Sequence, residues 1–209
     1  MRNRSRSLRC VLSLALVPVF GPTSALHAQA GTPEPAGLGA VPQWSIGYVV
    51  NAPDQMLGVS TMFLGPPLGS WGLYVDAKFS TNDATERLGY DPAMGVDEAE
   101  QFGDAYFSDE SNWTSVNVGA VRAVTGSFAL YAGVGYSREK AYREYFDLAR
   151  ERGESGFYWV DDDGQSGSRV NVFGGALMRV MGNLMFQLGG ELAPRGFTVG
   201  AAYAFPFRR

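Results

Sequence analysis

Cysteine and histidine are almost missing from this 209-residue chain, which has one of each, Cys10 and His27. Both fall in a first segment that reads as a secretory signal. "MRNRSRSLR" carries Arg2, Arg4, Arg6 and Arg9 with no acid, "CVLSLALVPVF" is an apolar core, and Ala28-Gln29-Ala30 offers a small-residue cleavage site. Cleavage after Ala30 leaves a mature chain without thiol or imidazole. That excludes disulfides, removes the usual general base of a serine or cysteine nucleophile, and takes away the common ligands of zinc. Long apolar runs are missing too. The signal core falls well short of the ~20 residues that span a bilayer and is broken by Pro18, and nothing later approaches that length. Cys10 follows Arg9 rather than a small-residue lipobox, which argues against a lipid anchor. Positive charge is scarce. Of 17 basic residues four leave with the signal, so 13 remain against 21 acidic ones, a net charge of −8. Nucleic acid is a poor partner for such a surface.

What is present is alternation. Residues 31–42 are rich in Pro and Gly and read as a flexible leader. From Gln43 onward, runs of strand-forming residues recur. "WSIGYVVN" sets Trp44, Ile46, Tyr48 and Val50 against Ser45, Gly47 and Asn51. "LGVSTMF" and "WGLYVDAKF" repeat the pattern, as do "TSVNVGAVR", "SFALYAGVGYS", "RVNVFGGALMRV", "LMFQLGGEL" and the closing "RGFTVGAAYAFPF". Eight strands result. The connections between them are short except the third, roughly Ser80 to Asn112, and the fifth, roughly Ser137 to Gly167. Both long connections then leave the same end of the sheet. The pattern predicts an all-β fold over residues 43–209, an eight-stranded antiparallel up-and-down transmembrane β-barrel with short periplasmic turns and two long extracellular loops.

The direction of the two faces follows from size. One face of each strand carries Leu, Val, Phe, Trp and Tyr, whereas the other collects glycines such as Gly47, Gly58, Gly72, Gly119, Gly133, Gly175 and Gly189. An eight-stranded barrel is only wide enough inside for its own side chains, so the small face is predicted inward and the large face towards lipid. Asp76, Lys78, Arg169, Arg179 and Glu191 share the small face. Being of both signs, they form a candidate charge network in the lumen. Aromatics near strand ends are candidates for two interfacial girdles: Trp44, Trp71, Phe205 and Phe207 on the turn side, Phe79, Trp113 and Tyr136 on the loop side. Parity also turns Arg122 towards lipid, next to a turn where it could snorkel.

With its signal, eight alternating strands, two long outer connections and closing "AYAFPF", the chain resembles the small outer-membrane β-barrel proteins, the OmpA/OmpX-like group, over roughly Gln43 to Phe207. The resemblance is one of architecture. It implies a cell outer-membrane location, contact with outer-membrane lipid and lipopolysaccharide, and reading of a terminal aromatic by the barrel-assembly machinery. Here Phe207 is followed by Arg208 and Arg209 and preceded by Pro206. It also implies a structural or surface-interaction role with a filled, non-conducting lumen and an extracellular ligand that the sequence does not name. Members that act as lipid A acylation enzymes use a histidine beside a serine, which the mature chain lacks, so no enzyme, cofactor or metal is expected. The rival reading is a secreted or periplasmic lipocalin-like ligand-binding barrel, which would need a continuous apolar cavity.

Two loop features remain. Asp161, Asp162 and Asp163 run together before Gly164, and Asp97, Glu98, Glu100, Asp104, Asp109 and Glu110 crowd the other connection. These read as solvated acidic loops, with weak calcium bridging to lipopolysaccharide as the sharper alternative. The spacing is not that of an EF-hand, since Trp159 stands where an aspartate is required. "REKAYREYFDLARER" followed by "GFYWV" leaves Tyr142 to Val160 open between a short helix and an extended hairpin.

Overall fold

The computed structural model describes residues 38, 42–65, 68–81, 89–149 and 156–207. The signal segment, its cleavage site, most of the leader and Arg208–Arg209 lie outside the described residues. Alternation becomes strand as expected. β1 (Gln43–Ala52), β2 (Met56–Leu64) and β3 (Trp71–Ser80) form a meander. β5 (Ala105–Ala123), β6 (Phe128–Phe146), β7 (Phe157–Met181), β8 (Leu184–Leu192) and β9 (Arg195–Pro206) continue it, each antiparallel to the next. β3 pairs directly with β5, and β9 returns to β1 in an unbroken register from Ala52↔Phe197 to Gln43↔Pro206. The eight strands therefore close on themselves, and the barrel has no free edge.

Two short elements interrupt the third connection. β4 (Tyr90–Gly95) lies parallel to β7, with Tyr90 beside Trp159 and Gly95 beside Asp161. α1 (Val96–Phe102) follows. Asp97 and Glu98 occupy its first turn, where carboxylates suit the helix dipole. Gly103, with φ 77°, ends it in the left-handed conformation, its N–H turned back to the last carbonyls. This fourth strand and helix were not legible in the alternation, since Tyr90–Gly95 contains Pro92 and has no clean period of two.

The long connections are shorter as loops than their sequence suggests. β5, β6 and β7 run well past the ends of β3 and β8 and leave the barrel as a sheet that β4 joins on the β7 edge. Within Tyr142 to Val160, the described residues Tyr142–Phe146 and Phe157–Val160 are extended and pair as two strands. Tyr142 pairs with Asp161, Tyr145 with Tyr158 and Phe146 with Phe157. The helix formers in "REKAYREYF" yield to these cross-strand aromatic pairs, which a lone helix on the surface could not make.

Inside, the lumen is divided by chemistry. The turn-side half is an apolar cluster of Met62, Leu64, Tyr74, Val121, Tyr131, Phe173, Leu177 and Met185. Tyr74 and Tyr131 stack with ring centroids 4.5 Å apart, and Phe173 packs tilted against both. Glycines make room for these rings. A Cβ on Gly189 or Gly175 would strike the Tyr131 hydroxyl, and one on Gly133 would meet Phe173 at 2.8 Å. Leu38 belongs to the same cluster, and its N–H donates to the Gly126 carbonyl at 2.8 Å. The leader is thus not free at that residue: an apolar side chain is withdrawn from water into the turn-side mouth.

Candidate functional site

Above the aromatic cluster the lumen turns polar. Asp76 and Lys78 on β3 and Glu191 on β8 all have inward parity, and all are nearly fully buried. Lys78 Nζ lies 2.5 Å from Asp76 Oδ1 and 3.3 Å from Glu191 Oε2. Three asparagines complete the set. Asn117 Nδ2 donates to Asp76 Oδ1 at 2.9 Å, and Asn171 Nδ2 donates to Glu191 Oε2 at 2.8 Å and to Asn117 Oδ1 at 2.9 Å. Asn51 Nδ2 donates to Glu191 Oε1. Two carboxylates thus share one ammonium and a set of amide donors, the arrangement a low dielectric demands of buried charge. Asn171 also accepts from the N–H groups of Leu192 and Ala193 through its Oδ1, and the Ser137 hydroxyl donates to the Ala193 carbonyl. The β8–β9 turn is fastened over the network in this way.

Of the five lumen candidates, Asp76, Lys78 and Glu191 are brought together and two are not. Arg179 is eight residues along β7 from Asn171, roughly 26 Å at about 3.3 Å per residue. It lies half-buried at the turn-side end, where its guanidinium donates to Gln43 Oε1 at 2.5 Å. Arg169 has the right parity but rises above the lumen. It is exposed, 2.7 Å from Glu139 Oε2, with its guanidinium 5.4 Å from the Trp113 ring centre. Parity fixes only the face, whereas height along a tilted strand decides which side chains meet. The asparagines were the missed members. Asn is disfavoured in strands, so three on the inward face were a readable signal.

The girdle candidates separate likewise. Trp44, Trp71, Phe205 and Phe207 stand exposed on the outside at the turn end. Trp44 pairs with Phe205 at 5.7 Å between rings, and Arg122 stacks over Trp71 at 5.2 Å, which settles that outward arginine beside a ring. Phe79 and Tyr136 stand exposed on the outside at the loop end. Trp113 does not join them. It is only 7% exposed, since it shares the parity of Ser115 and Asn117 and points inward beneath Arg169.

The acidic run in β7 is used within the extension. Successive strand residues point to opposite faces, so Asp161 accepts from Tyr90 Oη at 2.9 Å and pairs with Lys140 at 3.2 Å, while Asp162 pairs with Arg143 Nε at 2.7 Å. Burial works against the Lys140 ammonium, but its bonds to Asp161 and Tyr142 outweigh that and hold its pKa above the usual lysine range. Burial and the bond to Asp161 push the Tyr90 phenol up. Among the described residues, no three carboxylate, histidine or cysteine side chains converge to hold a metal ion. Of the three aspartates, Asp161 and Asp162 are thus paired in the sheet rather than free in a loop, and Asp163 is exposed. Beneath them Met94, Ala99, Tyr145, Tyr158 and Val160 form a second apolar cluster, which packs α1 and β4 against the hairpin.

The outer surface decides the class. Ile46, Tyr48, Val59, Leu73, Val118, Val134, Val172, Leu188 and Val199 are all exposed on the barrel wall, while Asp76, Lys78 and Glu191 are inside. A monomer in water does not expose a contiguous apolar wall of this extent. The distribution is the inverse of a soluble barrel, which is what a hydrocarbon solvent requires. The lipocalin-like alternative fails on the same distribution, since it needs a polar exterior and an apolar cavity.

The protein is a closed eight-stranded transmembrane β-barrel. No model of a known protein family matches the sequence, and no curated protein matches it. Among solved structures it is similar to Ail, the attachment invasion locus protein of Yersinia pestis, crystallised with the heparin analogue sucrose octasulfate. That match has 13% identity over 79% of this chain and 99% of the other, with a TM-score of 0.48. The same protein in a phospholipid bilayer nanodisc is similar at 15% identity over 79% and 99%, with a TM-score of 0.45. Neisserial surface protein A is similar at 14% identity over 79% and 96%, with a TM-score of 0.34.

Proposed function

We propose that this chain is an outer-membrane protein of structural or surface-interaction role, exported by cleavage after Ala30, whose filled barrel carries a polar sheet outside the cell. The observation that carries the reading is the one-sided extension. β5, β6 and β7 leave the barrel at one end only, and there they bear β4, α1 and a dense set of carboxylates. The opposite end has short turns and both ends of the barrel chain. Lipid meets the wall, with Trp44, Trp71, Phe205 and Phe207 at one rim and Phe79 and Tyr136 at the other serving as girdles.

The lumen is non-conducting in this reading. The stacked Tyr74, Tyr131 and Phe173 fill the turn-side half, and the Asp76–Lys78–Glu191 network fills the half above it. Its biogenesis partner is the barrel-assembly machinery, its lipid neighbours include lipopolysaccharide, and its exposed sheet meets an extracellular ligand of unassigned identity. The reading involves no catalytic step, cofactor or metal.

Fractionation tests it. Resistance to carbonate extraction, an electrophoretic mobility that shifts on boiling and a mature mass beginning at Gly31 are expected. Recovery as a soluble periplasmic protein with no heat shift would overturn it. Conductance in a planar bilayer would overturn the filled lumen alone.

A further inference from the structure

Inward residues at the ends of barrel strands face the mouth, where water reaches them unless something covers them. At the turn-side mouth five such residues are apolar and fully buried. Leu64 closes β2, Val121 stands two residues before the end of β5, Ala129 is the second residue of β6, Met185 is the second of β8, and Ala204 lies two residues before the end of β9. Leu38, which belongs to no strand, packs in the same cluster and is itself almost wholly withdrawn from water.

Two backbone hydrogen bonds fix its place. The Leu38 N–H donates to the Gly126 carbonyl at 2.8 Å, in the turn that leads into β6. Pro42, immediately before β1, accepts from the Phe207 N–H at 2.9 Å, just past the end of β9. β6 stands opposite β1 in the closed ring, with three strands between them either way round. Leu38 and Pro42 are therefore anchored on opposite sides of the same mouth. Further in lie the stacked Tyr74 and Tyr131 and the tilted Phe173. A space lined by Leu, Val, Ala and Met side chains offers water few hydrogen bonds, so filling it with one more apolar side chain leaves no polar group of the cup unpaired.

We propose that Leu38 is a stopper: its side chain closes the turn-side mouth of the barrel against water and small polar solutes, and its bond to Gly126 pins the N-terminal segment of the mature chain across that mouth. The assignment rests on cleavage after Ala30, which leaves Leu38 in the mature protein. The stopper acts at the opposite end of the lumen from the Asp76–Lys78–Glu191 network, with the aromatic stack between them. Each end can therefore be opened without the other.

The mature chain has no cysteine, so single thiols report on the lumen in the whole chain from Gly31, inserted in phosphatidylcholine nanodiscs. A129C and A204C place the thiol on two sides of the mouth, S60C places it inward beside Asp76 behind the aromatic stack, and S127C places it on the exposed turn. Cysteine is a small apolar residue that suits the buried alanine sites. The rate of reaction with a charged, membrane-impermeant maleimide is measured for each. With Leu38 in place, A129C and A204C are expected to react far more slowly than S127C. L38D and L38G are each expected to speed both by at least about tenfold, since thiol reactivity follows exposure, while S60C stays slow and the heat-modifiable mobility is kept. L38M is expected to stay slow. Equal rates at A129C and A204C with and without Leu38 would overturn the stopper, and so would a rise at all three inward thiols, which would show a loosened barrel instead of an opened mouth. A mature mass beginning beyond Leu38 in cells would overturn it too and leave the membrane reading intact, whereas loss of the heat shift with Leu38 present would count against the membrane reading.

Discussion

Lys78 reaches across the lumen from β3 to Glu191 on β8, with Nζ 3.3 Å from Oε2, while it holds Asp76 on its own strand at 2.5 Å. One ammonium thus serves two buried carboxylates, and its loss strands both. K78M is expected to destabilise the barrel by about 3–5 kcal/mol, read as a fall in the urea midpoint in lipid vesicles. K78M/D76N/E191Q should recover most of it. A triple variant as unstable as the single one would show that the packing of the lysine stem, not its charge, matters.

Asp54, in the β1–β2 turn outside the membrane span, is burdened by partial burial first and then by Glu139 and Glu191, so its pKa lies above the ordinary 3.8. A carboxyl raised by folding favours the folded state while protonated. Its contribution is full below 3.8 and is lost as pH rises through the folded value. D54N is therefore expected to raise stability at pH 7 and to make no difference near pH 3. A gain of equal size at both pH values would contradict the electrostatic cause.

The Tyr131 hydroxyl occupies the space a Cβ on Gly189 would need, and the Gly174 carbonyl, at 2.7 Å, bounds the same space. G189A is expected to cost about 1–3 kcal/mol by overpacking. Adding Y131F should return part of that, because the Gly174 carbonyl and the Thr198 hydroxyl, at 2.8 Å, remain as obstacles. Additive losses in a double-mutant cycle would place the clash elsewhere.

Trp44 and Trp71 face outward, Trp113 inward and Trp159 into the extension. In variants keeping one tryptophan each, acyl chains brominated near the headgroups should quench Trp44 and Trp71 strongly and Trp113 and Trp159 little. Strong quenching of Trp113 would restore it to the outer rim.

Arg143 binds Asp162 at 2.7 Å and lies near Glu100 on α1 at 3.4 Å. R143Q is expected to loosen the extension without opening the barrel. Protease cleavage near α1 should rise several-fold while the thermal midpoint of the barrel stays within experimental error. A lowered barrel midpoint would show that the two parts unfold together.

The sequence by itself determined the barrel. An alternation of period two states which side chains share a face, and the glycines on one face and aromatics on the other state which face is inside, because an eight-stranded lumen has no room for both. Strand number and the side from which the long connections leave follow from counting. What only the tertiary structure decided is height and partnership. Asp76, Lys78, Arg169, Arg179 and Glu191 are alike in parity, yet three meet while Arg179 sits at the far end and Arg169 above the mouth. Trp113 lies one residue from the lipid face but turns inward. Tyr142–Phe146 and Phe157–Val160 became paired strands because Tyr145 found Tyr158 and Phe146 found Phe157, and β4 joined β7 although nothing in its own residues announces a strand. A period fixes direction around a strand, but strand tilt, shear and pairing set distance along it, and those belong to the closed sheet as a whole.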